Sequence, residues 1–97
     1  MTWVFRIEIV IDALHREQAI ELLRAGGRDS YTLIRGVSRA NGRGLQSDGR
    51  PAGAWDDDYL LTTCLPEELD ALVEDLGPLL SKAGGLCLVS EARWLAC

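Results

Sequence analysis

The stretch LPEELDALVEDLGPLLSKAGGLCLV, residues 65–89, carries the strongest structural signal in this 97-residue chain. Pro66 is favoured at a first helical position, and the two glutamates after it suit the positive end of a helix dipole. Apolar residues then recur every three or four positions, as on one helix face: Leu69, Leu72, Val73, Leu76, Leu79 and Leu80. Gly77-Pro78 predicts a kink or an end of the first part of this helix, and Gly84-Gly85 closes it. Leu86 to Val89 predicts a strand.

The segments before this stretch predict one more helix and three more strands. The strands are Val4 to Ile11, Ser30 to Arg35 and Tyr59 to Leu65, and the helix is Leu14 to Ala25. The first strand alternates, so that its four large apolar side chains share one face: Phe5, Ile7, Ile9 and Ile11. After the last strand, Arg93-Trp94-Leu95 forms a short tail.

The order is strand, helix, strand, long loop, strand, helix, strand. This order predicts an α+β, ferredoxin-like βαββαβ fold, with two helices on one face of an antiparallel sheet. Residues 1–97 form a single domain, and the loop of about 37–57 lies between the second and third strands. Loops of that length are usually functional or disordered.

The amino-acid composition excludes some classes of function. The net charge of −5 argues against a general binder of nucleic acids or anionic membranes. We predict a cytoplasmic protein, because the N-terminus lacks a signal-peptide pattern and no segment has the length of a membrane span. The three cysteines, Cys64, Cys87 and Cys97, lack metal-ligand spacing and are expected to be reduced and mostly buried.

The sheet face opposite the helices is predicted to remain apolar. The third strand carries Tyr59 and Leu61 on one face and Leu60 and Cys64 on the other, and the fourth strand is apolar on both faces. A sheet covered on one side should be polar on its open side. We therefore expect an oligomer that covers the open face.

Three short segments resemble PII signal proteins in order and spacing. The run from Tyr31 to Arg39 resembles the strand that enters the T-loop of that family, where Lys-Gly-x-Gly-Arg is usual. Leu65 to Leu69 resembles the Val-Pro-Asp-Asp start of its second helix, and Leu88 to Arg93 resembles its last strand, which ends in Ala-Arg.

The resemblance implies a homotrimer that binds adenine nucleotides between subunits and moves its T-loops to contact a protein partner. Ser30 stands where the family has a threonine that contacts adenine, and Gly36 matches the glycine whose backbone lies along the nucleotide. Ser38 replaces the second glycine, and Arg39 and Arg93 match family arginines. The implied nucleotide-binding residues are Ser30, Gly36, Val37, Ser38, Arg39, Lys82, Gly84, Gly85 and Arg93.

Departures from the family favour ligands with few phosphates. The loop before the last strand is reduced to residues 81–85, the basic tail is missing, and Ala40 replaces the glutamine that helps to bind magnesium and 2-oxoglutarate. The outline is closer to PII-like proteins of carboxysomes and bicarbonate uptake. No cofactor is expected; the implied regulatory ligands are ADP or AMP, then ATP and bicarbonate. The implied protein target is a bicarbonate transporter or a carboxysome component.

The long loop has its own candidate partner-binding residues, Arg43, Arg50 and Trp55. Gly42-Arg43-Gly44 could cradle an anion or be a flexible, solvated loop, and Trp55 could anchor a partner or fold back on its own sheet. The acidic run Asp56-Asp57-Asp58 could hold a cation, although a solvated strand entrance is the simpler interpretation. His15, the only histidine, is expected to be a solvated surface residue.

No catalytic acid, base or nucleophile emerges, so we predict that the protein is not an enzyme. Ser38 and Ser47 have no evident base. Three other classes share the fold: an RNA-binding module, acylphosphatase and a trimeric metal-tolerance protein of the CutA kind. The aromatic RNA-binding signature and the anion-cradle loop after the first strand are missing. Clustered metal ligands are not evident, and no metal site is predicted.

Overall fold

The computed structural model describes residues 1–38 and 57–95. Their order is β1 (Thr2–Asp12), α1 (Arg16–Ala25), β2 (Thr32–Val37), β3 (Asp57–Cys64), a 3₁₀ turn (Pro66–Glu68), α2 (Leu69–Ala83) and β4 (Leu86–Trp94). The strands form one antiparallel sheet in the spatial order β2-β3-β1-β4. The predicted ferredoxin-like βαββαβ fold is confirmed.

The core lies between the sheet and the two helices. The predicted inner face of β1 is confirmed, since Ile7, Ile9 and Ile11 are buried and Phe5 packs against the same cluster. Residues from β3, α1 and α2 complete this cluster: Leu60, Cys64, Ala19, Ile20, Leu23, Leu72, Leu76 and Leu79. The periodic apolar positions of both helices therefore provide the surface that covers the sheet.

Helix α2 does not end at Gly77-Pro78. It continues to Ala83 and includes Pro78, although proline removes one backbone hydrogen bond. Leu76 and Leu79, on either side of that lost bond, are both buried against the sheet. We attribute the continuity of the helix to this packing on both sides of Pro78.

Strand β4 is longer than the sequence predicted. It pairs with β1 from Leu86 to Trp94, so the expected tail from Arg93 belongs mostly to the sheet. The segment is polar and lacks a strong strand signal, but pairing with β1 satisfies its backbone donors and acceptors. Arg93 and Trp94 are thereby fixed at one end of the sheet.

Two expectations for polar residues were wrong. Asp57 and Asp58 are 9% and 3% exposed, so these two residues are not a solvated strand entrance. His15 is half-buried, and its Nδ1 lies 2.7 Å from Asp12 Oδ1. In each case the polar group is buried because a partner lies nearby.

The described residues contain no helix that is long and apolar enough to cross a membrane. Cys64 is buried and Cys87 half-buried, as expected, and both are free thiols. Cys97 lies outside the described residues. Burial raises the pKa of both thiols; at Cys64, the nearby Arg28 opposes part of this effect.

Candidate functional site

The predicted nucleotide-binding residues that the structure describes lie at two opposite ends of the sheet. At the end that we call the Trp94 end, β1 begins and β3 and β4 finish, with Thr2 opposite Trp94 and Phe5 opposite Cys64. At the other end, which we call the Asp57 end, Asp12 and Val37 both pair with Asp57. One chain therefore cannot bring all the predicted residues to one ligand.

Ser30 and Arg93 lie at the Trp94 end. Two adjoining pockets of about 610 and 560 Å³ meet there and form a single surface that we call the Trp94-end groove. The pockets share five residues: Val4, Ser30, Thr62, Thr63 and Trp94. These volumes lie within the range of about 300–1,000 Å³ that is common for small-molecule sites.

Ser30 is held at the groove by its backbone. The Thr62 hydroxyl donates a hydrogen bond of 2.9 Å to the Ser30 carbonyl, which ties the start of β2 to β3. The Ser30 residue itself is exposed and lines both pockets. Its hydroxyl is therefore available to a ligand in the groove.

Arg93 is the second predicted residue in the groove. Its guanidinium lies over the ring of Trp3, 5.6 Å from the ring centroid, in the range of a cation–π interaction. Arg93 is exposed and lines the same pocket as Arg6. Strand pairing places Arg93 on the same face as Trp3 and Arg6 on the opposite face with Ser90, so the two cations lie on the two sides of this edge of the groove; Glu8 Oε1 lies 3.3 Å from Arg6 Nε.

The floor of the groove contains a cation that sequence analysis missed. The Arg28 side chain is only 8% exposed, and it lines the groove next to Ser30 and Cys64. One guanidinium nitrogen donates to the Gly26 carbonyl at 3.1 Å, and another lies 3.7 Å from Glu68 Oε1. Its buried Nε has no hydrogen-bond partner. A buried donor without a partner is costly, which makes Arg28 a candidate for contact with a ligand.

The local chain explains why Arg28 turns inward. Gly27 has a φ of 85°, a left-handed conformation that ends α1, and the Arg28 N–H then donates to the Leu23 carbonyl at 2.9 Å. A side chain at Gly26 would collide with the Arg28 guanidinium. The Gly26-Gly27 pair was the available sequence signal, because it ends the helix and also leaves room for the arginine.

Gly36, Val37 and Ser38 lie at the Asp57 end. Gly36 has a φ of 73° at a shift in register between β2 and β3, and its N–H donates to Asp58 Oδ1 at 3.2 Å. Asp58 Oδ2 accepts a hydrogen bond of 2.8 Å from Arg16. This bond is the main reason why the pKa of Arg16 is raised. The sequence did not predict that Asp58 and Arg16 form a pair at this end of the sheet.

Lys82 lies in the last turn of α2, and Gly84 and Gly85 connect α2 to β4, near the same end. Gly84 caps α2 with a φ of 68°. A Cβ atom on Gly85 would lie 3.0 Å from the Val10 carbonyl oxygen and 2.9 Å from a Leu80 methyl carbon. Both glycines thus have structural roles whether or not a ligand is bound, and Lys82 is exposed.

The open sheet face carries exposed apolar residues and one polar network. Large apolar side chains on it are Ile34, Leu86, Leu88 and Trp94, which are 50%, 38%, 56% and 44% exposed. At its centre, the Tyr59 hydroxyl donates to Glu8 at 2.8 Å, and Arg6 donates to the Ser90 hydroxyl at 3.1 Å. Burial and the Glu8 hydrogen bond raise the pKa of Tyr59.

The remaining predicted residues lie outside the described part of the chain: Arg39, Arg43, Arg50 and Trp55. Within residues 1–38 and 57–95, no group of three or more histidine, cysteine, aspartate or glutamate residues is placed to hold a metal ion.

Comparisons with solved structures identify the fold. One match is CPII from Thiomonas intermedia K12, a nitrogen regulatory PII-like protein, in a structure with ADP, AMP and bicarbonate bound. The match covers 95% of this chain and 94% of CPII, with a TM-score of 0.78 and 21% sequence identity. Its apo form matches over 95% and 91%, with a TM-score of 0.75 and 18% identity. A protein of Thermus thermophilus that is classed as PII-like matches over 94% and 87%, with a TM-score of 0.71 and 15% identity. No family model or curated protein matches the sequence. The fold of this chain is that of the PII-like proteins.

Proposed function

We propose that this chain is a PII-like regulatory protein that binds an adenine nucleotide in the Trp94-end groove. The observation that carries the proposal is the groove itself, which holds Ser30 and the buried Arg28 guanidinium. Its size suits a nucleoside, and the side chain of Trp94 offers a surface on which a base can stack. CPII, which shares this fold, has been seen with ADP and AMP bound.

The proposed site is completed by a second chain. The Trp94 end of one chain supplies the base pocket, and the Asp57 end of a neighbour supplies Gly36 to Ser38 together with Lys82. Separation of the predicted residues to opposite ends of one sheet supports such an intersubunit cleft, since a ligand between chains can contact both ends. The exposed apolar face of the sheet supports a homotrimer that buries it.

Isothermal titration calorimetry with adenosine, AMP, ADP and ATP tests the proposal. Ser30→Tyr places a large side chain in the groove and is expected to abolish binding. Ala71→Tyr is the matched control, because Ala71 is exposed on α2, does not line the groove and is not among the predicted binding residues. If the wild-type chain binds none of the four ligands, or Ser30→Tyr binds them normally, the groove is not the site.

We further propose that ADP or AMP binds at least as tightly as ATP. Each added phosphate needs a cation or an oriented N–H group, and among the described residues the exposed cations of the proposed cleft are Arg6, Arg93 and the neighbour's Lys82. One missing charge-assisted contact costs roughly 1.5–3 kcal/mol, or on the order of 10–100-fold in affinity. A tenfold preference for ATP over ADP would contradict the proposal.

Signalling is proposed to pass through the segment between β2 and β3, with Arg43, Arg50 and Trp55 contacting a protein partner. The position of this segment supports the proposal, since both of its ends meet at Asp57.

Bicarbonate is a second proposed ligand, as in CPII. The protein target would then belong to bicarbonate uptake or a carboxysome. Trypsin can cleave the segment between β2 and β3 after Arg39, Arg43 or Arg50. Slower cleavage in the presence of nucleotide would support coupling between the site and the segment, and equal cleavage rates with and without nucleotide would contradict it.

A further inference from the structure

Asp58 joins three parts of the fold at the base of the segment between β2 and β3. The residue is 3% exposed, and both of its carboxylate oxygens are hydrogen-bonded. Oδ2 accepts from the Arg16 guanidinium at 2.8 Å, and Oδ1 accepts from the Gly36 N–H at 3.2 Å. The start of α1 and the end of β2 are thus attached to the same buried charge.

Arg16 and the Gly36 N–H form a donor pair of the kind that binds anions. A guanidinium beside a backbone N–H suits the oxygens of a carboxylate, a bicarbonate or a phosphate. Gly36 is available for this role because the register shift between Ile34 and Val37 interrupts the regular β2–β3 pairing, and its φ of 73° lies in the left-handed region. In this chain, Asp58 already accepts from Arg16 Nη1 and from the Gly36 N–H, and Arg16 Nε donates to Glu17.

We propose that Asp58 is a specificity-determining residue, an internal anion that excludes ligand phosphate and bicarbonate from the donor pair of Arg16 and Gly36. An anion from solution would have to displace a carboxylate that is already attached to the chain. It would lose translational freedom on binding, whereas Asp58 does not. If Asp58 stayed in place, the arriving anion would lie beside a like charge and would lack the Arg16 Nη1 and Gly36 N–H donors that Asp58 uses.

One consequence rests on the proposed function. If an adenine nucleotide binds between subunits, its phosphates do not accept a hydrogen bond from the Gly36 N–H, even where the Gly36 backbone lines the cleft, and they must be met by other groups such as Lys82. The site then selects the nucleoside, and affinity changes little with the number of phosphates. Bicarbonate, if it binds, binds elsewhere.

The first experiment measures anion binding without any nucleotide. The backbone amide signal of Gly36 is followed by NMR in the full-length chain while inorganic phosphate, and separately bicarbonate, is added. The wild-type signal is expected to stay unchanged. In Asp58→Asn the freed donors bind the anion, and the signal shifts and saturates. The double variant Arg16→Gln, Asp58→Asn removes the cation and returns the response to the wild-type level.

Asp75→Asn is the matched control, because it removes one negative charge from an exposed position on α2. It is expected to behave as the wild type. A saturable Gly36 shift in the wild-type chain would overturn the proposal, even if no Asp58 variant folds. A folded Asp58→Asn chain without any shift would also overturn it.

Calorimetry supplies the second readout. The ratio of ATP affinity to adenosine affinity is expected to rise by about tenfold or more in Asp58→Asn, equivalent to about 1.4 kcal/mol. An unchanged ratio contradicts the proposal. Absence of all nucleotide binding in every variant would instead disprove the proposed function, and the NMR result would still decide the role of Asp58.

Discussion

Leu88→Glu is expected to dissociate the oligomer without unfolding the chain. Leu88 lies in the middle of β4 on the open face of the sheet and is 56% exposed in the single chain. A glutamate there remains solvated in a monomer, and the repulsion from Glu8, its cross-strand neighbour, is worth roughly 0.2–1 kcal/mol, which should leave the fold intact. In an oligomer that buries this face, it would be a desolvated charge.

The size of the effect follows from the exposed fraction. Complete burial of a leucine side chain is worth about 1.5–3 kcal/mol, and the exposed half of Leu88 therefore contributes about 1–1.5 kcal/mol per chain when covered. Three copies in a trimer give about 3–4.5 kcal/mol, or on the order of a hundred- to thousandfold in the dissociation constant, for removal of the apolar contact alone. Burial of an unpaired carboxylate adds several kcal/mol per copy.

Light scattering and sedimentation measure the outcome. The wild-type chain should have three times the mass of a single chain, and Leu88→Glu should have the mass of a monomer with an unchanged circular dichroism spectrum. Val73→Glu is the matched control, because Val73 is 50% exposed but lies on α2, away from the open face. A monomeric wild-type protein, or a trimeric Leu88→Glu variant, would refute the reasoning.

Three further predictions concern point substitutions. Arg28→Met removes a buried cation whose Nε lacks a hydrogen-bond partner. Nucleotide affinity is expected to fall by about tenfold or more, whereas the urea concentration at the midpoint of unfolding should stay equal or rise. Unchanged affinity would contradict a role for Arg28 in binding. Gly84→Ala should lower the free energy of unfolding by about 1 kcal/mol, because Gly84 has a φ of 68°. In the same urea titration, Gly77→Ala should raise it by about 0.5–1 kcal/mol, because a Cβ atom on Gly77 within α2 would meet open space. Burial raises the pKa of Cys64, so the unfolded chain ionises first as pH rises, and stability should fall above the ordinary thiol pKa of about 8.5. Cys64→Val should show a smaller fall in urea midpoints between neutral and alkaline pH; an equal fall would contradict the assignment.

The sequence predicted the elements whose signals are local. The spacing of Leu69, Leu72 and Leu76 indicates one helix face within two turns, and alternation in β1 identifies the side chains that enter the core. Pro66 and Gly84 mark the boundaries of the second helical region for similar reasons, because backbone conformation at these residues depends on their own covalent structure. These features, together with the order of helices and strands, were sufficient to predict the fold.

The tertiary structure decided which polar residues are buried. Arg16 and Asp58 are 42 positions apart, and no local pattern distinguishes their carboxylate–guanidinium pair from two solvated charges. Arg28 likewise enters the groove only because α1 ends beside β3 and the 3₁₀ turn that holds Glu68. A charge is buried only where the folded chain supplies compensating partners, and that supply depends on sheet register and helix packing. The sequence by itself thus determined the framework of this protein, whereas long-range pairing determined the chemistry at both ends of its sheet.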